Sequence, residues 1–379
     1  MGKYWKEVAL ILYPLSAQKY RLLEMVALCG EFPANQLTRL LESPSYAEKL
    51  ITELKADKLL RTHYRDHLRG YRLTGRAKQL LLSQNPDRFS PYLMGNSETN
   101  QVRSELTRRL RLHQKAEVYL TLLHGNIPFL PDQKPDIFRP DREAGSLSLR
   151  SLPLFYSSRE FKQIGREATK IKNSRSVGVL LAPHCAYALY NTGDHILKWE
   201  YRTEVRLNAF LQHYLQDFPY SGHPDVHAIL TGKDMNTAYQ LLTSTGGYKK
   251  SLFVADTSFG HFHYLPNTSE GETLLRLLVR PQLMKQLNQL LLSDLGPRKG
   301  DLPIEHDGTD ASGNPAILAY DFDMHRLNRF NTGLNIYGKK GLILCFDFQI
   351  PCLKRYLTAD ISFSGIDLIK FRKEVLHEP

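Results

Sequence analysis

Within residues 18–82 the hydrophobic period of this chain changes from helical to alternating and back, and the resulting order of elements constrains the fold more tightly than any other feature. Apolar residues recur at helical spacing over 18–28, Gly30 closes that stretch, and a short second helix is expected over 34–41. Ser43 and Pro44 open a third helix over 45–57, in which Ala47, Leu50, Ile51 and Leu54 share one face at i, i+3, i+4, i+7 spacing. Proline suits a first turn because the N–H it lacks would be unsatisfied there anyway. Residues 59–64 and 70–73 then read as the arms of a hairpin, with 65–69 at its tip and 74–82 as a closing helix.

Three helices followed by a hairpin is the order of a winged helix-turn-helix, in which the third helix enters a DNA major groove and the wing lies against the backbone. Arg61, Arg65, Arg69, Arg72, Arg76 and Lys78 fall in one short stretch opposed only by Asp66, so a cationic strip suited to phosphate is expected. Tyr46, Lys49, Thr52 and Glu53 lie off the apolar face of the third helix, and Tyr46, Lys49 and Thr52 are the candidates for base edges. Glu48 and Glu53 dilute the charge there, which points to selective binding. The competing readings are an ordinary solvated face and a winged helix that binds protein.

A chain of 379 residues exceeds one such unit and at ordinary domain sizes holds two or three domains. Its 42% apolar residues can bury real cores, and its formal net charge of +11 favours a polyanionic partner. Residues 8–12 are a short apolar patch before Pro14, and no run approaches the roughly 18 apolar residues of a span, so neither a signal peptide nor a membrane partner is expected. Cys29, Cys185, Cys345 and Cys352 lack CxxC spacing and read as reduced core residues of a cytoplasmic protein.

Residues 85–97, with Pro86, Pro91, Gly95 and Asn96, read as a linker. A long amphipathic helix is expected over 99–123, carrying Arg103, Arg108, Arg109, Arg111 and Lys115 around a stripe that includes Leu106, Leu110, Val118 and Leu122. Residues 126–151, rich in proline, glycine and charge, read as a loop. Beyond it strands (154–156, 177–181, 186–190, 227–230, 252–255, 261–265, 317–322, 342–346, 361–363) alternate with helices (200–215, 233–242, 269–292 with a break at Pro281, 324–334, 352–356). The fold class is therefore α/β, or α+β, and multi-domain. A winged helix over 1–90, expected to fold alone, precedes a mixed-sheet domain over 98–220 and an α/β domain over 221–379.

Three segments carry a resemblance to a known family: Tyr71-Arg72-Leu73-Thr74-Gly75-Arg76-Ala77, Leu112-His113-Gln114-Lys115-Ala116-Glu117-Val118 and Tyr156-Ser157-Ser158-Arg159-Glu160-Phe161-Lys162. Over residues 1–215 the chain resembles the replication-relaxation family of bacterial plasmids and integrative conjugative elements. The resemblance implies a winged helix followed by a domain similar to PD-(D/E)xK nucleases, and hence a restriction-endonuclease-like core over 98–220. It implies double-stranded DNA as partner and a role in replication, transfer or transcription of a mobile element. The carboxyl-terminal half would then serve homodimerisation or bind replication or transfer proteins of that element.

A PD-(D/E)xK site needs an acid on one strand and an acid-x-Lys on the next, because the carboxylates hold a metal that activates water while the lysine stabilises developing charge. Those positions hold Ser176-Val177-Gly178 and Tyr187-Ala188-Leu189-Tyr190-Asn191, so no catalytic residue, metal or cofactor is expected. Asp194, Lys198, Glu200 and Glu204 are the candidates for a migrated site, and with them the rival reading is a metal-dependent nuclease or nickase. His261 and His263 share one side of a short strand with Asp256 nearby, a spacing that binds transition metals but here lacks a third ligand. Asp321, Asp323 and Asp347 end strands, where ligand chemistry is placed in α/β sheets and where aspartates also cap helices. Residues 244–250 lack Walker spacing, and His184-Cys185 at a hairpin tip makes no triad. The sequence thus reads as a sequence-selective DNA-binding protein without catalysis.

Overall fold

The computed structural model describes residues 15–41, 43–138, 149–162, 164, 171, 174–216, 219–247, 251–298, 300 and 303–376. The chain divides into two compact units, the first made of residues 1–120 and 130–132, the second of 121–129 and 133–379. Among the described residues it is a mixed α/β protein with fourteen α-helices and three sheets. No helix described is long and apolar enough to cross a membrane. The apolar patch at 8–12, residues 139–148 of the loop at 126–151 and the lysines of 248–250 lie outside the described residues.

The first unit opens with α1 (Ala17–Cys29), which buries Leu22, Leu23, Met25, Val26 and Leu28. Gly30 ends it with φ 80, its N–H bonded to Val26 O at 2.8 Å. A side chain there would stand 2.9 Å from Thr99 Cα, so both the turn and the close approach require glycine. A two-residue strand β1 (Phe32–Pro33), which the sequence did not suggest, precedes α2 (Leu37–Leu41) and α3 (Pro44–Ala56). Ser43 Oγ accepts from Tyr46 N, Pro44 fills the first turn, and Ala47, Leu50, Ile51 and Leu54 are the buried face, as the periodicity predicts.

The hairpin is tighter than expected. Strands β2 (Leu60–Arg65) and β3 (Leu68–Leu73) pair up to Arg65 and Leu68, so the turn is only Asp66 and His67, both left-handed with φ 52 and 57. Two such residues make the turn whose twist matches that of the flanking strands. β1 joins the far side of β3 through Phe32↔Tyr71 and Pro33↔Gly70, giving a three-stranded sheet in the order β1-β3-β2. The closing helix α4 (Gly75–Gln84) is capped by Thr74.

Residues 85–97 are not a linker. Asn85 caps α5 (Pro86–Leu93), whose Phe89, Tyr92 and Leu93 are buried, and Arg88 binds Glu24 and Asp132 at 2.6 and 2.5 Å. The long helix α6 (Leu106–His124) starts seven positions later than predicted, since residues 101–105 are not helical. Of its expected apolar stripe Val118 and Leu122 are buried, but in the first turns Leu106 and Leu110 are exposed while Arg109 is fully buried. The first unit therefore runs well past residue 90.

In the second unit β4 (Leu154–Ser157) leads into a single turn α7 (Ser158–Phe161) and then β5 (Gly178–Leu181) and β6 (Ala186–Asn191), an antiparallel meander. α8 (Tyr201–Leu215) crosses to β7 (Val226–Gly232), and α9 (Met235–Leu242) leads on to β8 (Phe262–Pro266), so β6, β7 and β8 are parallel. The sheet order is β4-β5-β6-β7-β8. Residues 252–255 form only an isolated bridge, Lys198↔Leu252. α10 (Ser269–Leu278) and α11 (Pro281–Leu292) are the two halves of the stretch expected to break at Pro281. A second sheet follows, from β9 (Gly308–Thr309), β10 (Pro315–Leu318), α12 (Met324–Tyr337), β11 (Gly341–Phe346), α13 (Ile350–Tyr356), β12 (Ile361–Ile366) and α14 (Leu368–Glu374), in the order β12-β11-β10-β9.

The expected boundary at 220/221 is absent, because β6 and β7 pair across it from Ala186↔Val226 to Asn191↔Thr231. One apolar core also takes in residues on both sides of it, among them Tyr190, Leu207, Leu230, Phe262, Ile317 and Ile343. All four cysteines are buried as free thiols.

Candidate nucleic-acid interface

On α3, Tyr46, Lys49 and Thr52 are all exposed, Lys49 and Thr52 opposite the buried face and Tyr46, one turn before Leu50, at its flank. Thr52 Oγ1 donates to Glu48 O at 2.9 Å, which leaves its lone pairs to accept. Glu53 is held by Lys19 of α1 at 2.9 Å, so the two acids noted on this helix are not equivalent. The ring of Tyr71 on β3 joins helix and hairpin, with Lys55 Nζ 5.8 Å and the Arg69 guanidinium 6.0 Å from its centre.

The six cations expected to form one strip divide in two. Arg61, Arg65, Arg69 and Arg76 are exposed; the Arg65 side chain is 61% exposed and its nearest acid, Asp66, stands 3.5 Å away. Tyr64, opposite Arg69 in the ladder, is 65% exposed and was missed by the sequence reading. Lys78 is half-buried, its Nζ donating to Asn100 O and Oδ1 at 2.7 and 2.8 Å, and burial together with Arg61 lowers its pKa. Arg72 is a correction. It is 4% exposed, with Nε and Nη2 on Glu31 Oε2 at 2.7 and 2.6 Å, so it offers nothing to a phosphate.

Glu31 is the centre of a buried ion cluster that sequence reasoning did not find. Besides Arg72 it receives Arg109 Nη2 at 2.7 Å and sits 2.8 Å from His113 Nε2. Burial alone would raise its pKa, but hydrogen bonds from His113, Arg109 and Arg72 outweigh that and hold the carboxyl down at about 2. Gly70 makes room for it, since a Cβ there would stand 2.4 Å from Glu31 Oε1. The only sequence clue was Arg109 falling out of phase with the leucines of α6.

In the second unit the suggested nuclease residues do not share one environment. Asp194, Lys198 and Glu200 are exposed, whereas Glu204 is buried, accepting from Tyr190 Oη at 2.5 Å and Ser174 Oγ at 3.1 Å, and burial raises its pKa. His261 and His263 do lie together, their ring centres 6.1 Å apart, with His227 4.7 Å from His261. Asp256 is engaged elsewhere, by Trp199 Nε1 at 2.8 Å. The carboxylate beside His261 Nδ1 is Asp323, at 2.5 Å, while His263 Nδ1 lies 3.1 Å from Asp321 O. Asp323 also caps α12 through His325 N at 3.0 Å, and Asp347 lies against Gly365. Among the described residues no three His, Cys, Asp or Glu side chains are grouped to hold a metal ion.

No protein-family model, curated protein or solved structure matches this chain.

Proposed function

We propose that the first unit is a winged helix-turn-helix that binds double-stranded DNA with sequence selectivity, α3 reading base edges through Tyr46, Lys49 and Thr52 while the wing and α4 contact phosphate. The observation that carries the reading is the sorting of the arginines. Arg61, Arg65, Arg69 and Arg76 stay in solvent, Arg69 on the hairpin face whose Tyr71 ring also meets Lys55 of α3, while Arg72, whose charge could not be left free at that depth, is matched by Glu31. The two-residue turn and the strand order β1-β3-β2 behind three helices support the same reading.

The resemblance to the replication-relaxation family extends the proposal to a bacterial plasmid or conjugative element, with a part in its replication, transfer or transcription, in the cytoplasm. The finer reading of the second unit as a degenerate PD-(D/E)xK-like core is supported by the meander β4-β5-β6 followed by α8 and the parallel β7. On that reading the positions for acid and acid-x-Lys carry Val177, Gly178, Leu189 and Asn191, and the chain binds without cleaving. The second unit then serves self-association or a partner from the element.

The test is a salt titration of duplex binding by the full chain, with a footprint on DNA flanking its own gene. Each phosphate contact contributes roughly 0.9 to the slope of log affinity against log salt. The expected result is a steep slope that flattens in the Arg65→Ala, Arg69→Ala double variant, together with a protected site. Binding that ignores salt would instead favour a protein partner for the exposed face of α3.

A further inference from the structure

We infer that Arg109 is the positioning residue of the wing: it fixes the hairpin tip from behind, so that Arg65 and Arg69 are presented already ordered to the phosphate backbone. This rests on the DNA reading above. The ladder itself does not secure the tip. β1 pairs with β3 only at Tyr71 and Gly70, so the outer half of the hairpin, from His63 to Arg69, has no third strand. Two strands without a third are marginal in water.

Arg109 of α6 fills that gap. Its Nη1 donates to Arg65 O at 2.8 Å, and its Nη2 donates to Leu68 O at 2.8 Å and His63 O at 3.3 Å, so one guanidinium holds carbonyls on both sides of the turn. The same group donates through Nε to Glu31 Oε1 at 3.0 Å and through Nη2 at 2.7 Å, which compensates a charge that is 0% exposed. Only arginine has a planar fork with enough N–H groups to bind a carboxylate and several carbonyls at once, and lysine in its place keeps the charge but not the fork. Arg65 and Arg69, the two exposed wing cations nearest the turn, are borne on the backbone that Arg109 grips. Order supplied in the free protein need not be supplied at the moment of binding.

The experiment measures anisotropy of a fluorescent random-sequence duplex across a salt series with four full-length proteins: wild type, Arg109→Lys, Arg65→Ala with Arg69→Ala, and the triple variant. Amide hydrogen exchange of residues 63–69 is followed in the free wild type and Arg109→Lys. Lysine is chosen because it keeps a cation beside Glu31. Arg109→Lys is expected to weaken binding several-fold across the salt series, with a fall in slope no larger than the roughly 2 of the double variant, which removes both cations outright. The triple variant should bind within about two-fold of the double, because the changes act through the same contacts. Exchange at the tip should quicken while that of α1 is unchanged. Wild-type affinity and slope in Arg109→Lys, with both lost in the double variant, would overturn the inference and leave the DNA reading intact, as would losses that simply multiply in the triple. Should the wild type show no salt-dependent duplex binding, the DNA reading fails, and unchanged exchange at the tip would then overturn the clamp on its own.

Discussion

Glu31 has no solvent-exposed surface and is met by two guanidinium groups and an imidazole. Breaking such a pair leaves the remaining charges buried and uncompensated, which typically costs about 3 to 5 kcal/mol. Glu31→Gln should therefore lower the unfolding free energy by that order in urea titrations at neutral pH, and equal midpoints would contradict the cluster's role. The pH dependence has a definite sign. A carboxyl whose folded pKa is held down at about 2 contributes stability that is complete above the ordinary glutamate range and is lost as pH falls toward that value. Arg72 shares this fate rather than that of its neighbours: Arg72→Ala should destabilise the protein and leave the salt slope of DNA binding unchanged, whereas alanine at Arg61 or Arg76 should do the reverse.

Among the elements, the hairpin depends most on a single small residue. Adding a methyl group at Gly70 would press it onto the Glu31 carboxylate, and overpacking of this kind costs roughly 1 to 3 kcal/mol. Gly70→Ala should accordingly lower the thermal midpoint and quicken exchange at residues 63–69, and a variant as stable as wild type would show that Glu31 can move aside. The helices α1 and α3 and both hairpin arms were legible in the sequence because their signals are local: Gly30 after one helix, Ser43 and Pro44 before another, alternation in the arms. What was not legible was set at a distance. Arg72 and Arg69 look alike in sequence, yet residues 102 and 103 cover the side of β3 from which Arg72 would have reached solvent, their carbonyls 3.5 and 3.4 Å from its guanidinium. Only the first turns of α6 were misread, because leucines at 106 and 110 suggested a core face, whereas the core there is the Glu31 carboxylate and it selects Arg109. Residues 85–97 look like a linker by composition, but Asn85 and Pro86 are equally good at starting a helix.

For the whole molecule, the clearest pH-sensitive joint lies where β8 meets the segment before α12. His261 is raised by its hydrogen bond to Asp323, and Asp323, despite burial, is held at about 2 chiefly by His261. The imidazolium contribution is complete below the ordinary histidine pKa and is lost as pH rises through the raised value, while the aspartate contribution persists until pH falls toward about 2. Asp323→Asn should flatten the fall in thermal midpoint between mildly acidic and alkaline pH, and an unaltered profile would remove the pair from the stability balance. Cleavage is a second whole-molecule property. Purified protein should leave supercoiled plasmid intact in magnesium or manganese, and clean nicking would reverse the non-enzymatic reading and make Asp194, Lys198, Glu200 and Glu204 the first residues to replace. Finally, the chain leaves the first unit after residue 120 and returns to it for residues 130–132, where Asp132 is bound by Arg88. A gene joint placed anywhere between those crossings would hand the first unit on without its own last stitch, so this module is poorly suited to exchange by simple recombination and is expected to be inherited together with the segment that follows it.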